Sequence, residues 1–194
     1  MKKLLITASF AASALLPAAA HAQAIPGAII AVVDLQKVTG ECAACKTASA
    51  ALQSQVTGFQ TRERTLAVPL QTEQKSIQGA IDALNGKEPD AALKARVSAF
   101  QAKQQQAAEE LQRQQEQIKA NSQYVNKQIA DKLGPIYSQV MQRRGANLMV
   151  EIGQTLASGA TLDVTNDVLA ALNTALPTVA TSAPVARTST PQGR

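Results

Sequence analysis

Between Cys45 and Gly145 the chain runs for about 100 residues in Ala, Gln, Leu, Lys and Arg, with apolar residues recurring at helical spacing. One polar break, Asn85-Gly86-Lys87-Glu88-Pro89-Asp90, interrupts it near the middle. A short apolar strand signal lies before this stretch and another lies after it. Two long helices whose outer ends both return to one small sheet must run antiparallel, with the polar break at the far tip. At 1.5 Å rise per residue each helix reaches roughly 65 to 80 Å. Such an arm is too narrow for a conventional active site, so its surface and its assembly must carry the function.

The first residues read as an export signal. Lys2 and Lys3 precede the apolar run Leu4 to Leu16, and Ala20-His21-Ala22 has the small-residue pattern of a cleavage site. Residues 1–22 are therefore expected to be removed, with cleavage after Ala24 a close alternative. The apolar run is shorter than the roughly 20 residues a membrane span needs, and nothing later is long and apolar enough to span. The expected compartment is the periplasm. The remaining 23–176 is expected to be one domain, made of a body (26–40 and 145–176) and an arm (41–144) with its tip loop at 85–90. Residues 177–194, rich in Pro, Thr, Ser and Ala, are expected to be a disordered tail.

In the body, Ala28 to Leu35 reads as a buried strand, with Thr39 the expected cap of the helix after it. Asn147 to Ile152 reads as the second strand, and Gln154 to Ala157 as a third, short one. The last helix is expected to open at Asp163-Val164-Thr165-Asn166-Asp167, with Thr165 as cap, and to run through Leu176. So few strands cannot bury both faces, and partner chains are expected to complete the core.

The first arm helix is expected over Glu41 to Leu84. Its seam runs Leu52, Val56, Phe59, Glu63, Leu66, Leu70, Glu73, Ile77, Ala80 or Ile81, and Leu84, which is heptad spacing. The second is expected over Ala91 to Arg144, capped by Asp90. Its seam is interrupted by Gln104, Gln114 and Asn121, which predicts a loosely specified middle. Pro69 and Gly134-Pro135 should bend the two helices. Leu66, Val68, Leu70, Ile77 and Ile81 spread over more than one helical face. Apolar surface beyond a narrow seam marks a binding surface, and its candidates are Leu66, Leu70, Ile77, Ile81, Leu84, Leu93, Val97 and Phe100.

From Lys46 to Arg144 there are 14 Lys and Arg against 9 Asp and Glu, so the basic excess of the chain belongs to the arm. The basic residues toward the tip are Arg62, Arg64, Lys75, Lys87, Lys94, Arg96 and Lys103. Anionic lipid headgroups or acidic polypeptides suit them better than nucleic acid, which an exported chain does not meet.

Cys42-Ala43-Ala44-Cys45 is the one chemical motif. A structural disulfide or paired thiols, a redox pair at a helix start, and a metal site all remain open. Zinc would need two further ligands, and the single His, His21, lies in the expected signal. No nucleophile–His pair and no Gly-rich phosphate loop follows from this composition. No enzymatic activity and no cofactor are therefore expected.

The strand Ile29-Ile30-Ala31-Val32-Val33-Asp34, the hairpin, the strand Leu148-Met149-Val150-Glu151 and the closing Leu162-Asp163-Val164-Thr165-Asn166-Asp167-Val168-Leu169 together resemble the Skp/OmpH family of periplasmic chaperones. The resemblance covers about Ala28 to Leu176. It implies an α+β, predominantly helical fold: a small sheet or barrel body completed by trimerisation, with a long antiparallel helical arm. It further implies an ATP-independent holdase for unfolded outer-membrane β-barrel proteins, and an association with anionic lipid or lipopolysaccharide. The alternatives are a structural or adaptor coiled coil of the envelope, and a thiol-disulfide protein using Cys42 and Cys45.

Overall fold

A computed structural model describes residues 26–184. The expected export signal and the end of the tail lie outside the described residues. Strand β1 (Ile30–Val33) is followed by helices α1 (Leu35–Glu41), α2 (Ala43–Asp82) and α3 (Ala91–Arg144), then by β2 (Leu148–Glu151) and α4 (Thr165–Ala175). Helices dominate, and the sheet has two strands.

β1 and β2 are parallel, with Ile30 opposite Leu148 and Val33 opposite Glu151. Parallel neighbours need a crossover connection, and here the crossover is the whole arm. Asn147 fixes the register, because its Oδ1 accepts from Ile29 N at 2.7 Å and its Nδ2 donates to Gly27 O at 2.9 Å. The other edge of β1 is also used: Val164 N donates to Val32 O at 2.9 Å. β1 is therefore central, and β2 keeps one open edge.

Successive strand residues face opposite sides. Ala31, Val33 and Met149 face a core shared with Val38, Cys45 and Ala48, with Ile129, Ile136 and Val140 of α3, and with Val168 and Leu172 of α4. Ile30, Val32, Leu148 and Val150 face the other way, and Ile30 and Leu148 are 40% and 45% exposed.

The local signals explain the helix ends, with three corrections. The first arm helix does not start at Glu41. Asp34 caps α1 by accepting from Lys37 N at 2.8 Å, and the expected cap, Thr39, lies inside α1 with its hydroxyl donating to Leu35 O. The chain then breaks at Cys42, which is extended (φ −55°, ψ 126°), and restarts as α2. Cys42 N still reaches Val38 O and Lys46 N reaches Cys42 O, while the N–H groups of Ala43 and Cys45, freed by the break, are taken by the side chains of Asn173 and Cys42. Second, Thr165 does not cap α4. Its hydroxyl accepts from Asp34 N at 2.9 Å, tying α4 to the end of β1, while Asp163 Oδ1 takes Thr165 N. Third, there is no strand at 154–157. A 3₁₀ turn, Ile152–Gln154, directly follows β2, where the Glu151 carboxylate accepts from Gly153 N and ends the ladder.

α3 has the expected bounds. Asp90 Oδ1 accepts from Leu93 N at 2.8 Å. At the other end Gly145 takes the left-handed conformation (φ 66°), with Ala146 N bonded to Met141 O and Gly145 N to Gln142 O, a Schellman closure. Arg143 and Arg144 lie in the last turn, where positive charge suits the helix dipole. Pro69 lies inside α2 and Pro135 inside α3. Each removes one helical hydrogen bond, leaving the carbonyls of Thr65 and Asp131 without a donor from that position.

The described part of the tail also differs from expectation. Residues 177–184 follow the base of the arm, and Val179 packs against the body core. Composition argued for disorder because these side chains bury little; the segment is held through its backbone instead.

Candidate functional site

The arm is the candidate site, and its turn sets its geometry. Asn85 (φ 47°) and Gly86 (φ 83°) occupy left-handed backbone at the tip, where Gly and Asn carry the least steric cost. Asn85 N bonds Asp82 O and Lys87 N bonds Leu84 O, which reverses the chain.

Three polar rungs then cross from α2 to α3. Near the tip, Arg96 Nε donates to Glu73 Oε1 at 2.7 Å and its Nη2 donates to Ser76 Oγ. In the middle, Arg62 grips Glu110 with two bonds, at 2.6 and 3.0 Å. Toward the base, Asn121 Nδ2 donates to Gln55 Oε1 at 2.8 Å. Arg62 holds the Glu110 carboxyl below the usual carboxylate range, and Arg96 does the same to Glu73. Bidentate Arg–carboxylate geometry is the strong form of such a contact. On an exposed arm its chief effect is to set register.

Buried side chains are unevenly spread. α2 buries Ala44, Cys45 and Ala48 at its base and Ile77 near its tip, with none between. α3 buries Phe100 and Ala107, then Asn121 and the base residues from Val125 to Val140. In the middle the two helices enclose open grooves. One, of about 250 Å³, is lined by Leu66, Pro69, Leu70 and Ala107, with Lys103 and Glu110 at its rim. The other, of about 490 Å³, is lined by Gly58, Phe59, Ile118 and Asn121.

The sequence-derived surface candidates therefore divide. Leu66 and Leu70 line the first groove. Leu84 and Leu93 line another, of about 320 Å³, at the tip. Val97 is half-buried and Ile81 is exposed. Ile77 and Phe100 are buried within the arm, so they hold the hairpin and offer little surface. Among the basic residues, Arg62 and Arg96 are engaged in the rungs and Lys94 pairs with Glu88. Arg64, Lys75, Lys87 and Lys103 are exposed and make no ion pair among the described residues.

Cys42 and Cys45 form a disulfide at the α1–α2 break. Cys42 is fully buried and Cys45 nearly so, which leaves an incoming thiolate no approach and favours a structural bond. Cys42 Sγ also accepts from Cys45 N, as a cap for α2.

Sequence reasoning missed the amide groups at the arm base. Asn121 stands on the seam between Ile118 and Val125, yet it is only 5% exposed. Its Oδ1 accepts from Gln117 Nε2 and from Ala183 N, both at 2.8 Å. Gln55 donates to Thr181 O. Gln128 donates to Ala180 O and accepts from Ala180 N. A polar residue at a seam position was the available signal; its partner, the tail, could not be anticipated.

A small α+β body with a parallel two-stranded sheet, carrying a two-helix arm as the crossover between its strands, defines a hairpin-arm class of protein. Residues 29–172 match the family described as outer membrane protein (OmpH-like), and the chain belongs to that family. A solved structure described as a candidate outer membrane chaperone (OmpH-like) from Caulobacter crescentus CB15 has the same fold, with a TM-score of 0.66 at 20% identity, covering 82% of this chain and 91% of that one. No curated protein matches the sequence.

Proposed function

We propose that this protein is an ATP-independent holdase of the periplasm that keeps unfolded outer-membrane β-barrel proteins from aggregating. The observation that carries the reading is the middle of the arm, where polar rungs hold two helices together around open apolar grooves. Leu66, Pro69 and Leu70 offer weak, non-directional contacts to unfolded chain, and Arg64, Lys75 and Lys103 offer charge. Membership of the OmpH-like family, and the outer membrane chaperone that shares the fold, support the same role. The reading needs no catalytic step and no cofactor. Removal of residues 1–22 on export belongs to it.

Assembly is part of the proposal. The face bearing Ile30, Leu148 and Val150, beside the open edge of β2, is apolar and turned away from the helices. Covering that face with the same face of two further copies would give a trimer whose arms enclose client. Anionic lipid or lipopolysaccharide is a second ligand class for the unpaired lysines.

The test is to dilute an unfolded outer-membrane protein from urea into buffer with one equivalent of purified trimer. Light scattering should be suppressed without nucleotide. Aggregation at the unassisted rate, or a monomer mass near 18 kDa with and without client, would refute the reading.

A further inference from the structure

We propose that Gln55, Asn121 and Gln128 at the base of the arm form a binding site for extended polypeptide backbone, and that residues 180–183 of this chain are its resident occupant, displaced by incoming client. The proposal rests on the holdase reading for the identity of the displacing chain, but the site itself stands on geometry.

Four backbone groups of the tail are read in succession. Gln128 donates to Ala180 O at 2.8 Å and accepts from Ala180 N at 3.0 Å. That is the pair of bonds a neighbouring β-strand residue would make. Gln55 Nε2 then donates to Thr181 O at 3.1 Å, and Asn121 Oδ1 accepts from Ala183 N at 2.8 Å. These contacts all go to main-chain atoms, and the residues read are small: Ala180, Thr181, Ser182 and Ala183. A site of this kind discriminates by chain extension rather than by sequence, as a strand edge does for an added peptide. An unfolded barrel precursor, rich in segments able to extend, presents the same groups.

Two of the readers are also held by bonds within the arm. Asn121 is tied to Gln117 and to Gln55, so three side-chain amides form one polarised chain that ends at Thr181 O. A buried seam Asn is costly unless satisfied, and here it carries donors and acceptors outward to the tail.

The groove is longer than its occupant. Ser182 lies at one end of the 490 Å³ groove, which continues along Gly58, Phe59, Gln114 and Ile118. A longer extended segment gains apolar contact that the tail does not make. Val179 packs against the body core, while Ala180, Ser182 and Pro184 are exposed. Displacement therefore proceeds from the Ala183 end, with Val179 as the anchor.

The test uses two forms of the protein: the chain ended after Val179, and the full chain carrying Ala180→Pro and Ala183→Pro. The second keeps the full length of the tail but removes the two N–H groups that the site accepts from. A peptide spanning residues 178–184, and an unrelated Ala/Ser peptide of equal length, are titrated while the side-chain amide NMR signals of Asn121 and Gln128 are followed. Both peptides should shift those signals in both forms, and should bind the unaltered chain at least about tenfold more weakly, as expected for competition with a tethered segment. Equal binding to the unaltered and altered chains would overturn the proposal. So would binding of the 178–184 peptide alone, because the site would then read side chains. This readout does not involve client solubility, so its failure leaves the holdase reading standing, and loss of holdase activity leaves the site standing.

Discussion

Replacing Phe100 by Ala should open the outer half of the arm while leaving the body folded. Phe100 is 9% exposed, and with Ile77 it is one of two large side chains buried beyond the middle grooves. Truncating a buried Phe costs about 3–5 kcal/mol in a closed core. The arm is two helices thick and can partly collapse on the gap, and Ala is the better helix former by about half a kcal/mol. A net loss of about 2.5 kcal/mol is therefore expected, which is roughly seventyfold in an opening equilibrium at RT of about 0.59 kcal/mol. No buried residue links Ala48 to Ile77 along α2, so the loss should not spread to the body. Native-state hydrogen exchange with peptide resolution reads this directly. Segments 66–84 and 88–104 should lose protection by between one and two orders of magnitude, while the segments holding Val140, Val168 and Leu172 keep theirs. Unchanged protection at the tip would refute the packing argument. Equal loss in tip and body would refute the view that the arm opens as a separate unit.

Acid should loosen the same arm by another route. Glu73 and Glu110 are held below the ordinary carboxylate range by Arg96 and Arg62. Their contribution is thus complete above the unfolded value of about 4.3 and is lost as pH falls through the lower folded values. Spin labels placed on Gln74 and Gln101 should report a wider separation below about pH 4, and Glu73→Gln with Glu110→Gln should abolish that dependence; widening that persists in the double variant would exclude these carboxylates as its source. The disulfide closes a very short ring, for which the chain-entropy estimate is about 2 kcal/mol. Cys42→Ala with Cys45→Ala should lower the unfolding free energy read from denaturant melts by that amount and leave client capacity intact; lost capacity at full folding would instead restore the redox reading.

The long elements were legible because their signals are local. Asp90 and Gly145 bracket α3 through a side-chain cap and a left-handed glycine, both written in single residues. The two apolar runs marked the strands. What escaped depends on contacts across the fold. Asp34 outcompetes Thr39 as a cap because β1 ends there and turns at once. Thr165 spends its hydroxyl on Asp34 N, a residue far away in sequence. Cys42 breaks the helix where the arm must leave the body, and Asn173 Oδ1 accepts from the freed Ala43 N. The candidate surface was partly legible: heptad spacing found Leu66 and Leu70, but could not separate them from Ile77 and Phe100, which share the pattern and lie inside. The polar seam looked like loose design, whereas Asn121 is a junction of three side-chain hydrogen bonds.

The parallel pairing of β1 with β2 also dictates an order of events. Ile29 and Asn147, bonded in the finished body, stand 118 residues apart in the chain. A strand made first must wait for its neighbour until the entire arm has been made. Closing so long a loop in one step is slow, because its entropy is spent before any contact rewards it. Zipping the hairpin from its tip shortens the effective distance turn by turn and delivers β2 beside β1. The arm is thus the protein's own assembly jig, and any agent that holds its tip open delays the birth of the body itself.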